Sequence, residues 1–520
     1  MEERTLYRPP WTCGRYNEEA SAAIYYNLVS GRSFYFEDES AAVIGAILEM
    51  ERNVAFTLSS IETKTGIRVE SLMSFFDILL SKGMVSTKHV GNEEENEYRA
   101  FISRERLMGV KKEPIHQDED AMRSDSETAE KAYARRTGCP VTTVLIELTY
   151  LCSERCIHCY NPGASRNDSE SSGRARWMGL DIEDYYRVID ELYTLGAVRV
   201  CLSGGDPFSY PHTWEIIEYL YKKEFAIEIF TNGLSLLGKT EKLSKFYPCV
   251  VGVSIYSSNP TCHDRITRIP GSFSRSIRVV EDLSKLSVPL EIKCCVIQTN
   301  LSSYHGVSEI ASKCGAKYQL ECSVFDSMDG DKCVSRQLRL DESQMELVLR
   351  DPDNPLYVGP ELEGYGARPH NMSNPACSAG RYGICITPDG TILPCVSFHA
   401  ALGNVNTTAL RKIVYDTPAV HLLEEMILER YEECGRHPYC AFCLICPGLN
   451  FNEHGTVFKA AENNCFIARV RYNLSEKMKK GYDPLCGKTL SEKLAEFSRD
   501  NVIGEYHKEQ AASHLNEPLR

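Results

Sequence analysis

In the segment "VESLMSFFDILLSKGMV", Val69, Leu72, Met73, Phe76, Leu79 and Leu80 recur on one face of a 3.6-residue period, and Gly83 follows as a stop. This spacing predicts an amphipathic helix laid on a small core. Upstream, "SAAIYYNLVSGRSFYF" alternates as two half-buried strands would, with a turn at Ser30 and Gly31. Asp38 is placed to cap a helix over "ESAAVIGAILEME", and "TLSSIETKTG" supplies another. A hairpin, three helices and a closing strand make a winged-helix-like module over residues 1–90. Residues 91–138 lose the periodicity, are charged and poor in aromatics, and read as a linker with one or two helical pieces.

From residue 141 the pattern alternates between apolar strands and amphipathic helices. Strands are predicted at "TVLIEL", "VRVCLS", "AIEIF", "VVGVSI", "LEIKCCVI" and "YQLECS", with helices near 181–195, 212–223, 239–246, 274–286 and 303–313. Asp181 is a suitable N-cap for the first helix. Six such repeats over residues 139–340 predict an α/β fold, a partial (β/α)6 TIM-like barrel. Its working residues belong at the C-terminal ends of the strands.

At 520 residues the chain exceeds one ordinary core, in keeping with several domains. The net charge of −14 argues against a nucleic-acid partner, as do seven Lys or Arg against ten Asp or Glu between residues 14 and 90. No apolar run approaches a membrane span and no basic n-region precedes an apolar stretch, so the expectation is a cytoplasmic chain with no membrane partner. In that reducing compartment, 22 cysteines point to metal or redox chemistry rather than disulfides.

Three of them stand in "YLCSERCIHCYNPG", directly after the first barrel strand. A structural zinc site is closed by four ligands, and His158, wedged between Cys156 and Cys159, is poorly placed to be the fourth. A 4Fe–4S cube held by three thiolates leaves one iron open to a small chelating molecule. Cys152, Cys156, Cys159 and the aromatic Tyr160 form a CxxxCxxC-aromatic pattern that resembles the radical S-adenosylmethionine (radical SAM) enzymes. The resemblance implies that S-adenosylmethionine occupies the open iron and is cleaved reductively to methionine and a 5′-deoxyadenosyl radical that abstracts hydrogen. It also implies cofactor contacts at Tyr160, at Gly204, Gly205 and Asp206 of "LSGGDPF", at Thr231 and Asn232 of "FTNG", at Ser254, and at Arg265 or Arg268 of "HDRITRIPGSF". Asp206 stands where that family usually has Glu. Glu321 and Asp326, at or near a strand end, are candidates to take a proton from substrate, or to be salt-bridged. The Cys294–Cys295 pair reads as small core hydrophobes.

A second cysteine field follows in residues 341–486, ahead of a tail at 487–520: "CSAGRYGICITPDGTILPC", then "CGRHPYCAFCLICPG", then Cys465. "ITPDGTILPC" predicts a hairpin whose Pro388-Asp389-Gly390 turn draws the flanking cysteines together. Two zinc knuckles are one reading. The field also resembles the SPASM extension of radical SAM enzymes that modify peptides and proteins, which holds one or two auxiliary 4Fe–4S clusters. By that resemblance Cys377, Cys395 and Cys446 share one cluster, and Cys434, Cys440, Cys443 and Cys465 the other. Either Cys385 completes the first set or its fourth iron stays open to a substrate thiolate.

The order of elements in residues 1–90 resembles the RiPP recognition element, the fold of the pyrroloquinoline quinone peptide chaperone, in which a leader peptide adds to the hairpin edge beside the third helix. Together the resemblances imply a peptide maturase. Its partners would be a leader-bearing ribosomal precursor and an electron donor such as flavodoxin or ferredoxin, and an auxiliary cluster would accept an electron as a cross-link closes. A sactionine-type thioether from Cys to a backbone carbon is the first expectation. C–C or C–O cross-linking, epimerisation and formylglycine formation use the same scaffold. The rival from another class is a cluster-containing redox regulator whose winged module binds DNA.

Overall fold

The structure is a computed structural model that describes residues 4–110, 128–161, 180–328, 333–359, 375–416, 423 and 425–497. At the N-terminus β1 (Thr5–Tyr7), β2 (Thr12–Asn17), β3 (Ala22–Asn27) and β4 (Arg32–Glu37) precede the helix Asp38–Leu48, and β5 (Ala55–Thr57) precedes the helices Leu58–Thr65 and Val69–Ser81. The expected hairpin is β3–β4, turning at Gly31 with φ 69°. β2 adds a third antiparallel strand, and β1 pairs with β5 and bridges to Ser86. Asp38 does not cap its helix: it is the first helical residue, and its carboxylate pairs with Arg136 at 3.1 Å. The β4 edge carries no further strand among the described residues.

The charged stretch expected as a linker contributes the helices Asn92–Val110 and Ala129–Thr137. Arg99 donates to the carbonyls of Leu286 and Ser244, and Tyr98 stacks on Trp11 at 4.8 Å. This strap therefore packs the module against the barrel. Glu224 fixes the same contact: its carboxylate pairs with Arg8 and, at 2.9 Å, with Arg52, while its carbonyl accepts from Arg15 at 2.7 Å. Arg8 and Arg15 are buried, so removing Glu224 strands cationic groups without their counter-charge. Glu224→Ala is expected to cost about 3 kcal/mol, read as a lower midpoint of urea unfolding, with Glu224→Gln costing less.

The barrel strands are β6 (Thr143–Thr149), β7 (Arg199–Gly204), β8 (Ala226–Thr231), β9 (Val250–Ser254), β10 (Leu290–Cys295) and β11 (Lys317–Glu321), all parallel and in sequential order. Val144, Ile146 and Leu148 are buried in the main apolar core with Tyr185, Val188 and Leu192 of the helix Ile182–Leu195. Asp181 caps that helix, accepting from Asp184 N at 2.9 Å. The alternate residues Leu145, Glu147 and Thr149 face the other side of β6, in register with Cys201, Ser203 and Gly204. A helix not foreseen, Pro260–Thr267, follows β9 and is capped by Asn259 through Cys262 N at 3.1 Å.

The sheet continues past β6. β12 (Gly383–Ile386) pairs in parallel with β6, placing Cys385 opposite Leu145, and β13 (Thr391–Leu393) and β14 (Gly403–Asn404) complete nine strands. The expected "ITPDGTILPC" hairpin is β12–β13, with Gly390 at φ 83° in its turn. The second cysteine field is thus joined to the barrel by backbone hydrogen bonds.

Candidate functional site

The cysteine loop leaves β6 at Thr149 and is stitched to two neighbours. Gly205 N donates to Thr149 O (2.6 Å) and Asp206 N to Leu151 O (2.9 Å), while Arg155 N and Ile157 N donate to Thr267 O and Ile266 O at the end of the helix after β9. Gly204, at φ 124°, and Gly205 make this approach possible, since a Cβ on either would lie 2.3–2.4 Å from Thr149 O or Leu151 O. The glycine pair therefore seats the end of β7 beneath the cysteine loop.

Around the three thiols stands a ring of polar side chains. Asn232 Nδ2 donates to Cys152 Sγ at 3.3 Å and to Ser153 Oγ at 3.1 Å. Thr231 donates to the buried Asp206 carboxylate at 2.5 Å and accepts from Gly233 N, so its hydroxyl braces the end of β8. Tyr160 donates to Glu147 at 3.2 Å, and burial raises the Glu147 carboxyl to about 7. Burial likewise raises Glu154 to about 8, although the Cys156 thiol at 3.3 Å opposes the shift. His158 packs edge-on against Tyr256 at 4.6 Å, and burial lowers its imidazole to about 4, which keeps it neutral.

Sequence reasoning missed Glu147, Glu154, Asn161 and Tyr256. Asn161 Nδ2 holds Gly204 O at 2.9 Å, and Tyr256 OH receives Cys156 Sγ at 3.9 Å. Ser254 ends β9 half-buried, whereas Arg265 and Arg268 are exposed on and just after the helix Pro260–Thr267. Glu321 is exposed at the end of β11 and accepts from Ser323 N at 2.7 Å. Asp326 is engaged as an ion pair with Arg339 at 3.0 Å and accepts from Ser335, so here the salt-bridged alternative describes it better than a free base. Cys294 is buried in the main core, and Cys295, half-buried and in register with Glu321, packs against a smaller apolar cluster of Cys262, Ile266, Ile297 and Val324, as small hydrophobes would.

The described cysteines are all free thiols. Among the described residues only His305, Asp351 and Asp353 bring three candidate ligand atoms within 4.8 Å of one another. No three cysteine sulfurs among the described residues lie within 4.8 Å of one another, whereas one tetrahedral zinc holds its sulfurs about 3.8 Å apart at a Zn–S bond of about 2.3 Å. Burial and the neighbouring Glu154, Cys159 and Cys152 push the Cys156 thiol well above its ordinary range. Three thiolates are therefore stable here only around a cationic centre, and the wide spacing fits a multi-iron cluster.

In the second field, Cys377, Cys395 and Cys446 form one group, close enough that Cys377 and Cys395 both help raise the Cys446 thiol to about 11 after burial. Cys446 stands at the N-cap position of the helix Pro447–His454, where a Cβ on Gly448 would meet Ser397 O at 2.3 Å, so the helix start lies close against the Cys395 loop. Cys434, Cys440, Cys443 and Cys465 line a second pocket with Glu433, His437 and Tyr439. Cys385 is buried on β12, under the electrostatic influence of both Cys395 and Glu147.

Comparison with known proteins matches two family models to separate parts of the chain. Residues 146–300 match the model of the radical SAM superfamily, and residues 377–447 match the SPASM iron–sulfur cluster-binding domain. The chain is similar to the antilisterial bacteriocin subtilosin biosynthesis protein AlbA of Bacillus subtilis, at 28% identity over 59% of this chain and 68% of that one. It is also similar to the PqqA peptide cyclase of Ruegeria pomeroyi, at 26% identity over 53% and 74%. Among solved structures, Streptococcus suis SuiB bound to S-adenosylmethionine shares the fold at a TM-score of 0.51 and 12% identity, over 88% of this chain and 99% of that one. A radical SAM domain binds S-adenosylmethionine and a 4Fe–4S cluster, and a SPASM domain binds auxiliary iron–sulfur clusters.

Proposed function

We propose that this chain, a radical SAM enzyme with a SPASM iron–sulfur domain, matures a leader-bearing ribosomal peptide and installs a cross-link in it, in the first instance a thioether from Cys to a backbone carbon. The relatives support a peptide substrate by name: a bacteriocin biosynthesis protein, a peptide cyclase, and SuiB, also solved with the precursor peptide SuiA. When bound, the catalytic cluster and S-adenosylmethionine supply one-electron cleavage of a C–S bond and abstraction of hydrogen. Cys152, Cys156 and Cys159 would hold that cluster, Asn232 fixes Cys152, and the Glu147–Tyr160 pair fixes the chain beyond Cys159. Cys377, Cys395 and Cys446, with the set around Cys434, would hold auxiliary clusters able to take up an electron as a cross-link closes.

The observation that carries the reading is the open β4 edge beside the helix Val69–Ser81. Phe36 of β4 meets Phe75 of that helix at 5.8 Å, and Ile78, on the same side of the helix as Phe75, is 56% exposed. An extended leader can add to the strand edge by backbone hydrogen bonds and cover Ile78. Deleting the module would expose barrel residues that pack against it, among them Val198, Ala226 and Cys249; a surface substitution is the cleaner test. Ile78→Glu should weaken leader binding at least about 10-fold by fluorescence anisotropy, since it both removes apolar contact and buries a charge. Unchanged affinity would mean that the leader binds elsewhere. Mass spectrometry of the co-expressed precursor separates a cross-link, which removes two hydrogen atoms whether thioether, C–C or C–O, from epimerisation, which removes none, and loss of thiol alkylation at the precursor's cysteine then separates the thioether from the other cross-links.

A redox regulator remains the rival reading. Reductive cleavage of S-adenosylmethionine without a DNA mobility shift dismisses it.

A further inference from the structure

Away from both cysteine fields, His305, Asp351 and Asp353 each bring a ligand atom within 4.8 Å of the others. His305 lies in the loop after β10, and the two carboxylates lie in the turn that follows the helix Glu342–Val348. Asp351 is fully buried, whereas His305 and Asp353 are half-buried, so the group is reachable from solvent. His305 Nδ1 and Asp351 Oδ2 stand 2.9 Å apart. Adjacent ligands on an octahedral ion bonded at about 2.1 Å are about 3.0 Å apart, so an ion can replace the shared proton with little movement of either side chain. Tyr304, directly before His305, supplies an independent sign. It is fully buried, its hydroxyl oxygen has no hydrogen-bond partner, and among charged groups the Asp351 carboxylate acts on it most strongly. A buried hydroxyl without a partner is costly, and a water on an ion held by Asp351 is a donor for it.

We propose that His305, Asp351 and Asp353 bind a divalent cation of the Mn²⁺ type, with water completing its shell and Tyr304 accepting a hydrogen bond from one such water. Two carboxylates supply the charge, and the imidazole favours a transition metal over Mg²⁺ or Ca²⁺. The ion joins two parts of the fold. The helix Glu342–Val348 is tied by the Glu346–Lys477 pair, at 2.7 Å, to the helix Glu462–Lys479, which carries Cys465. With one ligand from the loop after β10 and two from the turn after Glu342–Val348, a single ion fastens the barrel to the segment that supports the second cysteine field.

The test uses the full chain with its clusters reconstituted and oxidised, and Mn²⁺ alone as the probe, because thiolates are poor ligands for it. Bound Mn²⁺ is counted from the loss of the free ion's electron paramagnetic resonance signal, and urea unfolding is followed with and without the ion. Wild type should bind a single Mn²⁺ per chain, saturably and at submillimolar concentration, and unfold at higher urea in its presence. Asp353→Asn and His305→Gln should each weaken binding at least about 10-fold, since residues that only orient a metal ligand are already worth about 10- to 100-fold. Gln at position 305 can still hydrogen-bond to Asp351, so that variant serves as the reading if the other fails to fold. Tyr304→Phe removes only the hydroxyl. Without Mn²⁺ it should unfold at or above the wild-type urea midpoint, and it should bind Mn²⁺ about 10-fold more weakly. Three results overturn the proposal: a wild type that takes up no Mn²⁺ saturably, uptake that Asp353→Asn and His305→Gln leave unchanged, as counter-ions on an acidic surface would be, or Tyr304→Phe with wild-type affinity.

Discussion

Replacing Cys152, Cys156 and Cys159 together by Ala is expected to remove one 4Fe–4S cluster of about three and to abolish formation of 5′-deoxyadenosine. The loss should be complete, because all three thiols of the CxxxCxxC pattern are removed together. The loop itself should survive. Its shape is held by backbone bonds from Arg155 and Ile157 to Thr267 and Ile266, and from Gly205 and Asp206 to Thr149 and Leu151, none of which needs a thiol. Iron analysis should therefore fall by about one third while the far-ultraviolet circular dichroism stays that of wild type. Residual 5′-deoxyadenosine above the no-enzyme background would show that the catalytic cluster lies elsewhere.

What the sequence displayed clearly was local. The six barrel strands follow from short apolar runs between amphipathic helices, the Asp181 cap from a carboxylate one residue before a periodic segment, and the cysteine trio from spacing alone. What it hid was either weakly patterned or distant in the chain. β2, "TCGRYN", carries almost no aliphatic residue, and its burial comes from neighbours that the sequence does not show. The helix Pro260–Thr267 is short and half polar, and Asn259 is its main local signal. The pairing of β12 with β6 joins residues 383 and 143, which no periodicity can reveal. Charged residues were the least legible. Glu154 and Glu224 look like solvated loop charges, yet one is buried against the Cys156 thiol and the other joins Arg8 and Arg52 to the barrel. Asp38 shows the converse: its type suits a cap, but the chain enters the helix one residue earlier and sends the carboxylate to Arg136 instead.

Cys395→Ala is expected to separate the two halves of the chemistry, keeping cofactor cleavage near the wild-type level while cross-linked product falls to background. Cys395 follows β13 and groups with Cys377 and Cys446 rather than with the loop that carries Cys152, so its loss leaves Cys152, Cys156, Cys159 and the bracing by Asn232 intact. Closing a thioether is a net oxidation, and the centre held by this group is the proposed acceptor of the surplus electron. Cys385 decides how that centre is completed. Its thiol is buried between the influence of Cys395 and that of Glu147, a carboxyl raised to about 7 by burial. If Cys385 is the fourth ligand, Cys385→Ala should lower iron content by about four atoms and lose product, as Cys395→Ala does. If the fourth iron is open to the substrate thiolate, Cys385→Ala should keep its iron, and Mössbauer spectra of the wild type should change only when peptide is added. Peptide lacking its cysteines should then leave the spectrum unchanged. Normal cross-linking by Cys395→Ala would refute a role for the second cysteine field in product formation.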